Sequence, residues 1–269
     1  MTHLPYQIKG PIYVLGGGPL ACHYIGEIVR AKKEGLIDYP ELFFIDPHSN
    51  VPAAEEFKND ARTIQNTYTG FLEETILNRP RAEKAGILIP DHSAPHVLFR
   101  VFLNLIENDG RFKGRRTQVV PFPLPGDDFP QTPFLKTFDS GICAVSYAEW
   151  TCPLSCEEPG ICPAISRKRD WNFNETFSHY MRDHHMNTKP DSSPLAGACP
   201  PDFWRGPAAL STHLFSCLQL AHAVAFIPMD HIFHEWDRLA HRLESQQKVE
   251  LLVATFSKCH GIIGKAIID

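Results

Sequence analysis

The stretch Pro11–Ala21 reads PIYVLGGGPLA, a short apolar run followed at once by three glycines. The apolar residues Pro11–Leu15 predict a buried strand, and Pro19 suits the first turn of a helix. Gly16 permits a tight turn from strand to helix, and Gly18 has no side chain to keep a ligand away from the backbone. The stretch therefore predicts a strand, a glycine turn and a helix in direct succession.

The spacing of these residues is G-x-G-x-x-A, in which Ala21 is small enough for the helix to pack close to the strand. The start of a helix presents N–H groups and a positive dipole end, which bind phosphates. Asp46 ends the second predicted strand, Glu41–Ile45, where an acid can bind ribose hydroxyls and repel the extra phosphate of NADP. We therefore expect NAD to bind at Gly16, Gly18, Pro19, Ala21 and Asp46. A glycine turn that binds nothing, or another phosphate ligand, is the alternative.

Predicted strands and helices alternate up to about residue 125, which is typical of a parallel sheet covered on both faces. The region Ala53–Leu77 has helical periodicity, and Thr117–Phe122 is the fourth predicted strand. The third strand, Ala85–Ile89, is followed by His92. At that position His92 is a candidate general acid or base beside a nicotinamide.

The first part of the chain resembles the NAD-binding domains of the Rossmann superfamily over roughly 110 residues. The run Phe43–Pro47, FFIDP, also resembles the second strand of the TrkA-type regulatory domains of potassium transport. The resemblance implies a Rossmann-like fold and a dinucleotide ligand.

After residue 125 prolines become frequent, which predicts a loop-rich region. Thr212–Ile227 and Val249–Phe256 are predicted strands on either side of a helix that starts at Asp230. We expect an α/β fold with a Rossmann-like parallel sheet, a Cys/Pro-rich loop region and a C-terminal βαβ-like unit. The expected domains are 1–125 and 126–269, and the second can form part of the same sheet as the first.

Cysteines cluster with the spacing C-x3-C-x5-C at Cys152, Cys156 and Cys162, and Cys199 follows in the next region. Three Cys-Pro pairs occur, where a random arrangement would give about 0.7. Proline after cysteine is common around iron–sulfur clusters, and four thiolates also suit zinc. The pattern predicts a metal site made of Cys152, Cys156, Cys162 and Cys199. A redox pair of Cys152 and Cys156, or a set of ordinary thiols, are alternatives.

The composition places the chain among globular proteins, with 43% hydrophobic and 21% charged residues. The formal charge of −5 argues against a nucleic-acid partner, because phosphate binding needs a basic face. No apolar run is long enough to cross a membrane, and the N-terminus does not resemble a signal peptide. We therefore expect a cytoplasmic protein whose cysteines are reduced thiols, metal ligands or redox groups rather than structural disulfides.

These patterns together predict an NAD(H)-binding oxidoreductase that acts on a small molecule and holds an iron–sulfur cluster or zinc in its cysteine-rich loop. The alternative is a non-enzymatic protein that senses NAD, redox state or metal. The predicted strand Gly141–Trp150 leads into the cysteine loop. If that strand joins the first sheet in parallel, Cys152 lies beside the nicotinamide.

Overall fold

The structure is a computed structural model that describes residues 6–78, 85–90, 97–122, 129, 132–138, 140–150, 152–185 and 210–269. The predicted site residues His92 and Cys199 lie outside this part of the chain. The fold is mixed α/β and divides into two compact units. The first unit comprises residues 1–97 and 218–236, and the second comprises residues 98–217 and 237–269.

The strands of the first unit are β1 (Tyr6–Gln7), β2 (Ile12–Leu15), β3 (Ile37–Asp38), β4 (Leu42–Asp46), β5 (Arg62–Gln65), β6 (Ile87–Ile89), β13 (Leu218–Gln219) and β14 (Ala225–Pro228). Six of them form a sheet in the order β13-β14-β6-β2-β4-β5. The strands β2, β4, β5 and β6 run parallel to one another, whereas β14 is antiparallel to β6 and β13 is antiparallel to β14. A separate parallel pair joins β1 to β3.

The helices of the first unit are α1 (Pro19–Lys33), α2 (Pro52–Glu56), α3 (Tyr68–Asn78) and the first part of α6 (Met229–Ser245). The helix α1 forms because apolar residues recur every three or four positions, so that Ala21, Ile25 and Ile28 share one buried face. The strands β2 and β4 are predominantly apolar, as expected for strands covered on both faces.

The strands of the second unit are β7 (Thr117–Val120), β8 (Phe134–Thr137), β9 (Cys143–Ser146), β10 (Ile161–Cys162), β11 (Arg167–Lys168), β12 (Leu210–Ser216), β15 (Val249–Phe256) and β16 (His260–Ile268). Another six-stranded sheet follows the order β12-β15-β16-β9-β8 and has β7 paired with β16. The strands β12 and β15 are parallel, and the remaining pairs are antiparallel. A short hairpin joins β10 to β11.

The helices of the second unit are α4 (Val97–Asn108), α5 (Phe173–His185), a 3-10 turn (Gly110–Phe112) and the end of α6. An aromatic core lies against the sheet, and its buried members include Phe122, Phe173, Phe177 and Phe256. The core approaches β16 closely, because a Cβ atom at Gly261 would lie 2.3 Å from Phe173 Cε1.

The parallel strand pair of the predicted βαβ-like unit is present. The strands β12 and β15 are parallel neighbours, and α6 lies between them in the chain. The prediction of one strand over Thr212–Ile227 is wrong, because this stretch does not form a single strand. It is divided into β12, β13 and β14, with His222 and Ala223 at positive φ between the last two. A backbone with positive φ turns the chain and cannot continue a strand.

Two predicted strands belong to the second sheet rather than the first. The fourth predicted strand forms as β7 but pairs with β16. The strand that leads into the cysteine loop forms as β9, which is antiparallel to both β8 and β16. The condition that this strand joins the first sheet in parallel is therefore not met, and the position of Cys152 beside a nicotinamide has no support from the sheet. Among the helices of the described residues, none combines the length and apolar character needed to cross a bilayer.

Candidate functional site

The glycine turn joins the central strand β2 to the helix α1 in the first unit. Gly16 has a φ of +96°, which favours glycine, and its N–H donates to the Ile45 carbonyl over 2.8 Å. Gly18 is the residue before α1, and Pro19 occupies the first turn of the helix. The predicted succession of strand, glycine turn and helix is confirmed.

Two adjacent glycines of this turn are constrained in different ways. A Cβ atom at Gly17 would lie 2.3 Å from Val51 Cγ2, so the fold itself requires glycine there. A Cβ atom at Gly18 would meet no atom within 4 Å, and the φ of −79° at Gly18 suits any residue. The described residues thus offer no internal packing reason for glycine at position 18. An external ligand that approaches the backbone would provide one.

The start of α1 suits an anion. No side chain caps the helix, and its first turn contains no acidic residue. The positive end of the helix dipole is therefore not neutralised by this helix's own side chains. Ala21 is buried, as expected for the small residue that lets α1 pack against the sheet.

Asp46 stands at the end of β4, next to the glycine turn. Its Oδ2 accepts a hydrogen bond from the Gly17 N–H over 3.0 Å, and its Oδ1 accepts one from the His48 N–H over 2.9 Å. The ring Nδ1 of His48 lies 3.2 Å from the same Oδ1. The structure thus places the Asp46 carboxylate on the glycine turn, which contains Gly16 and Gly18 and leads into Pro19 and Ala21 of α1, and this carboxylate holds the turn. Its contact with a ribose stays a prediction.

The cysteine loop of the second unit follows β9 and leads into the β10–β11 hairpin. Local hydrogen bonds shape it, since the Cys156 N–H donates to the Pro153 carbonyl over 3.0 Å and the Ser166 N–H donates to the Cys162 carbonyl over 2.8 Å. Cys152 and Cys156 are partly exposed, whereas Cys162 is buried. The loop therefore presents two thiols to its surface and buries the third.

The histidine His260, which is the first residue of β16, lies beside this loop. His260 Nε2 is 3.6 Å from Cys152 Sγ, and His260 Nδ1 is 2.8 Å from Ser146 Oγ at the end of β9. Ser146 is buried and also contacts Ala148 through both the N–H and the carbonyl group of that residue. A thiol, an imidazole and a hydroxyl therefore form a continuous chain of contacts.

Cys259 is a further thiol near the loop, and the sequence pattern did not single it out. It lies between β15 and β16, and its Sγ accepts a hydrogen bond from Trp171 Nε1 over 3.3 Å. The carboxylate of Glu158 accepts hydrogen bonds from the N–H groups of Lys258 and Cys259 over 3.1 and 3.3 Å. Glu158 thus attaches the cysteine loop to the turn between β15 and β16.

The charges around the loop act on the thiols. Burial raises the pKa of Cys152, and the neighbouring Cys156, Cys162 and Glu158 raise it further. Burial is also the main reason that the pKa of Cys259 is raised to about 11. The Arg169 guanidinium opposes both shifts without cancelling them. Both thiols are therefore protonated at neutral pH unless a base accepts the proton.

Among the residues that the structure describes, no three His, Cys, Asp or Glu side chains are placed to hold a metal ion. Cys152, Cys156 and Cys162 lie close enough for their charges to interact, but they do not converge as ligands. The fourth predicted ligand, Cys199, lies outside the described residues. We assign no metal to these thiols, and the zinc or iron–sulfur site stays a prediction.

The sequence missed His260 because that histidine belongs to no motif. It lies 108 positions after Cys152, and only the pairing of β16 with β9 brings the two residues together. A Cys-His dipeptide at Cys259–His260, followed by an apolar strand, was the one available signal.

A search among curated proteins found no match to the chain. A family of domains described as "AF_1314_C: Uncharacterized protein, C-terminal domain" matches residues 98–268. The match begins where the second unit begins and contains the whole cysteine loop. Because this match covers well over half of the chain, the protein belongs to the AF_1314_C family.

Proposed function

We propose that the first unit binds NAD(H) at the glycine turn and that the chain is an NAD(H)-linked oxidoreductase. One observation carries the proposal: the glycine turn lies at the carboxyl end of the central parallel strand. The strands β5-β4-β2-β6 are the third, second, first and fourth parallel strands in chain order. This order, 3-2-1-4, matches the first four strands of the Rossmann order 3-2-1-4-5-6, in which ligands bind where the strand order reverses.

The strand order reverses beside β2, because the chain builds β4 and β5 on one side of β2 and then returns to β6 on the other. The glycine turn follows β2 and leads directly into the uncapped start of α1. A pyrophosphate at that point would face N–H groups and the positive end of the dipole. The open space at Gly18 is consistent with such a ligand.

The acid at the end of β4 favours NAD over NADP. Asp46 is held in place by the Gly17 and His48 N–H groups. The oxygen Oδ2 accepts the Gly17 N–H and has a second lone pair that could accept a ribose hydroxyl. A 2′-phosphate would meet the negative charge of the carboxylate instead. His92 follows β6 by three positions in the sequence and is the proposed general acid or base.

The variant Gly18→Val tests the binding site. The structure shows no atom that the new Cβ would strike, so the fold should survive while the valine occupies the space of the pyrophosphate. We expect the affinity for NADH, measured by calorimetric titration, to fall by more than roughly tenfold, or about 1.4 kcal/mol.

Gly110→Val in the second unit is the matched control, since a Cβ atom at Gly110 would also meet no atom within 4 Å. It should leave NADH binding unchanged. Equal affinities in Gly18→Val and the unaltered protein would reject the site. Binding of NADH without turnover of any small-molecule substrate would favour the sensor over the oxidoreductase.

A further inference from the structure

We propose that Cys152 is a nucleophilic thiol activated by His260, and that it reduces disulfide substrates together with Cys156. This activity lies within the second unit and does not depend on NAD(H) binding. The observation that carries it is the chain of contacts from Cys152 Sγ through His260 to Ser146. A nucleophile, a base and a group that orients the base are the parts that an activated thiol requires.

The contacts of Ser146 determine which nitrogen of His260 carries the proton. Ser146 Oγ lies 2.9 Å from the Ala148 carbonyl oxygen, so the single hydroxyl proton must point at that oxygen. The hydroxyl then accepts from the Ala148 N–H over 2.8 Å and from His260 Nδ1 over 2.8 Å. His260 therefore holds its proton on Nδ1, and the lone pair of Nε2 faces Cys152 Sγ.

The same distances disfavour the opposite tautomer of His260, in which Nε2 carries the proton. If Nδ1 were unprotonated, the Ser146 proton would have to turn toward it. Two oxygens, Ser146 Oγ and the Ala148 carbonyl, would then face each other across 2.9 Å without a hydrogen between them. The observed geometry thus prepares His260 to take a proton from the thiol.

The surroundings explain why Cys152 needs this base and how a substrate reaches it. The thiol is protonated at rest, since burial and neighbouring negative charge disfavour the thiolate. Arg169 provides the positive charge that favours it. Cys152 is partly exposed and His260 is exposed, so both reacting groups are open to solvent.

Cys156 is the natural second thiol. It is partly exposed like Cys152 and lies four positions after it in the same loop. The hydrogen bond from its N–H to the Pro153 carbonyl closes a turn over residues 153–156, directly after Cys152. Cys162 and Cys259 are buried and therefore less accessible to a bound substrate.

The reaction balances without another reagent. Cys152 gives its proton to His260 Nε2, and its sulfur attacks one sulfur of the substrate disulfide. The substrate S–S bond breaks, and the leaving thiolate takes the proton from His260. Cys156 then attacks Cys152 Sγ, which releases the second substrate thiol with the proton of Cys156. One substrate disulfide becomes two thiols, and the Cys152–Cys156 dithiol becomes a disulfide.

The test uses the full-length reduced protein and the aromatic disulfide 5,5′-dithiobis(2-nitrobenzoate), whose thiol product is coloured. We expect a fast phase that releases two equivalents of product per chain. Cys152→Ser should abolish this phase, and Cys156→Ser should reduce it to one equivalent. Cys22→Ser is the control, because Cys22 is also partly exposed with a pKa raised by burial but belongs to the other unit.

The role of His260 is tested by two substitutions. His260→Gln can still bond to Ser146 but cannot take the proton, and we expect it to slow the fast phase by at least roughly tenfold. His260→Ala should be equally slow, and imidazole added to the buffer should restore its rate. A purely structural role of His260 would not be rescued by imidazole.

Three results would overturn the proposal. The first is a fast phase that survives in Cys152→Ser. The second is a rate that is unchanged in both His260 variants. The third is a fast phase that appears only after a chelator has removed a metal from anaerobically prepared protein, because the thiols would then be metal ligands.

Discussion

At the scale of single residues, the glycine turn separates what the fold needs from what a ligand would need. Gly17 is required by the fold because Val51 fills the space beside it. Gly18 is not, and its position at the start of α1 makes it the residue through which a phosphate would approach the backbone. The neighbouring Asp46 stabilises the turn that contains both glycines, because its carboxylate accepts the Gly17 N–H.

Asp46→Asn should destabilise this turn. The carboxylate accepts one N–H group on each oxygen, whereas the amide of asparagine can accept on one side only. The Gly17 or the His48 N–H would then face a donor. We expect the free energy of unfolding to fall by about 1–3 kcal/mol, measured by urea denaturation.

Asp38→Asn is the matched control for this change. Asp38 uses one oxygen, Oδ1, for both the Tyr39 N–H and the Lys32 ammonium, and an asparagine can keep that oxygen. Its stability should stay within about 0.5 kcal/mol of the unaltered protein. Equal stabilities of the two variants would show that Asp46 does not hold the turn.

The residues of the glycine turn could be found from the sequence because they lie within one local motif. Ser146 and His260 could not, since they are separated by 114 positions and meet only through the strand pairing of β9 with β16. Spacing along a chain indicates neighbours on one turn or one helix. It carries no information about which distant strands will pair.

At the scale of elements, the sequence pattern was most reliable where strands are buried on both sides. The strands β2 and β4 and the helix α1 appear where the apolar periodicity predicts them. The strand β5 was missed inside a predicted helix, because it lies at the edge of the sheet and three of its four side chains are exposed. An edge strand of four mostly polar residues has no apolar alternation to detect.

The contact between the cysteine loop and the β15–β16 turn depends on Glu158. Its carboxylate accepts the N–H groups of Lys258 and Cys259. Glu158→Gln replaces a charged acceptor with a neutral amide, and hydrogen bonds to charged groups are the stronger ones. We expect the amide protons of Lys258 and Cys259 to exchange several-fold faster, measured by NMR.

Glu157→Gln is the control for this prediction, because Glu157 is the adjacent glutamate and carries the same charge. It should leave both exchange rates unchanged. If the two variants gave the same exchange rates, the loop would be held to the turn by other contacts.

At the scale of the whole molecule, the chain contains two compact units with different candidate chemistry. The AF_1314_C family match covers the cysteine loop and its histidine, whereas the glycine turn lies before the matched residues. The family match therefore covers the region of the thiol proposal without supporting any chemistry, and it carries no argument for NAD(H) binding. The two proposals rest on separate observations and can fail separately.

Hydrogen exchange with and without NADH tests this separation in the intact chain. A ligand stabilises the state that binds it, by about 2.7 kcal/mol at a ligand concentration of 100 times Kd. If NADH binds at the glycine turn, peptides over residues 16–21 and 42–53 should exchange more slowly, because they contain the turn, Asp46 and the start of α2. Peptides over residues 249–268 belong to the second sheet and serve as the internal control. Protection confined to that sheet would place the NADH site in the second unit and would overturn the assignment of the glycine turn.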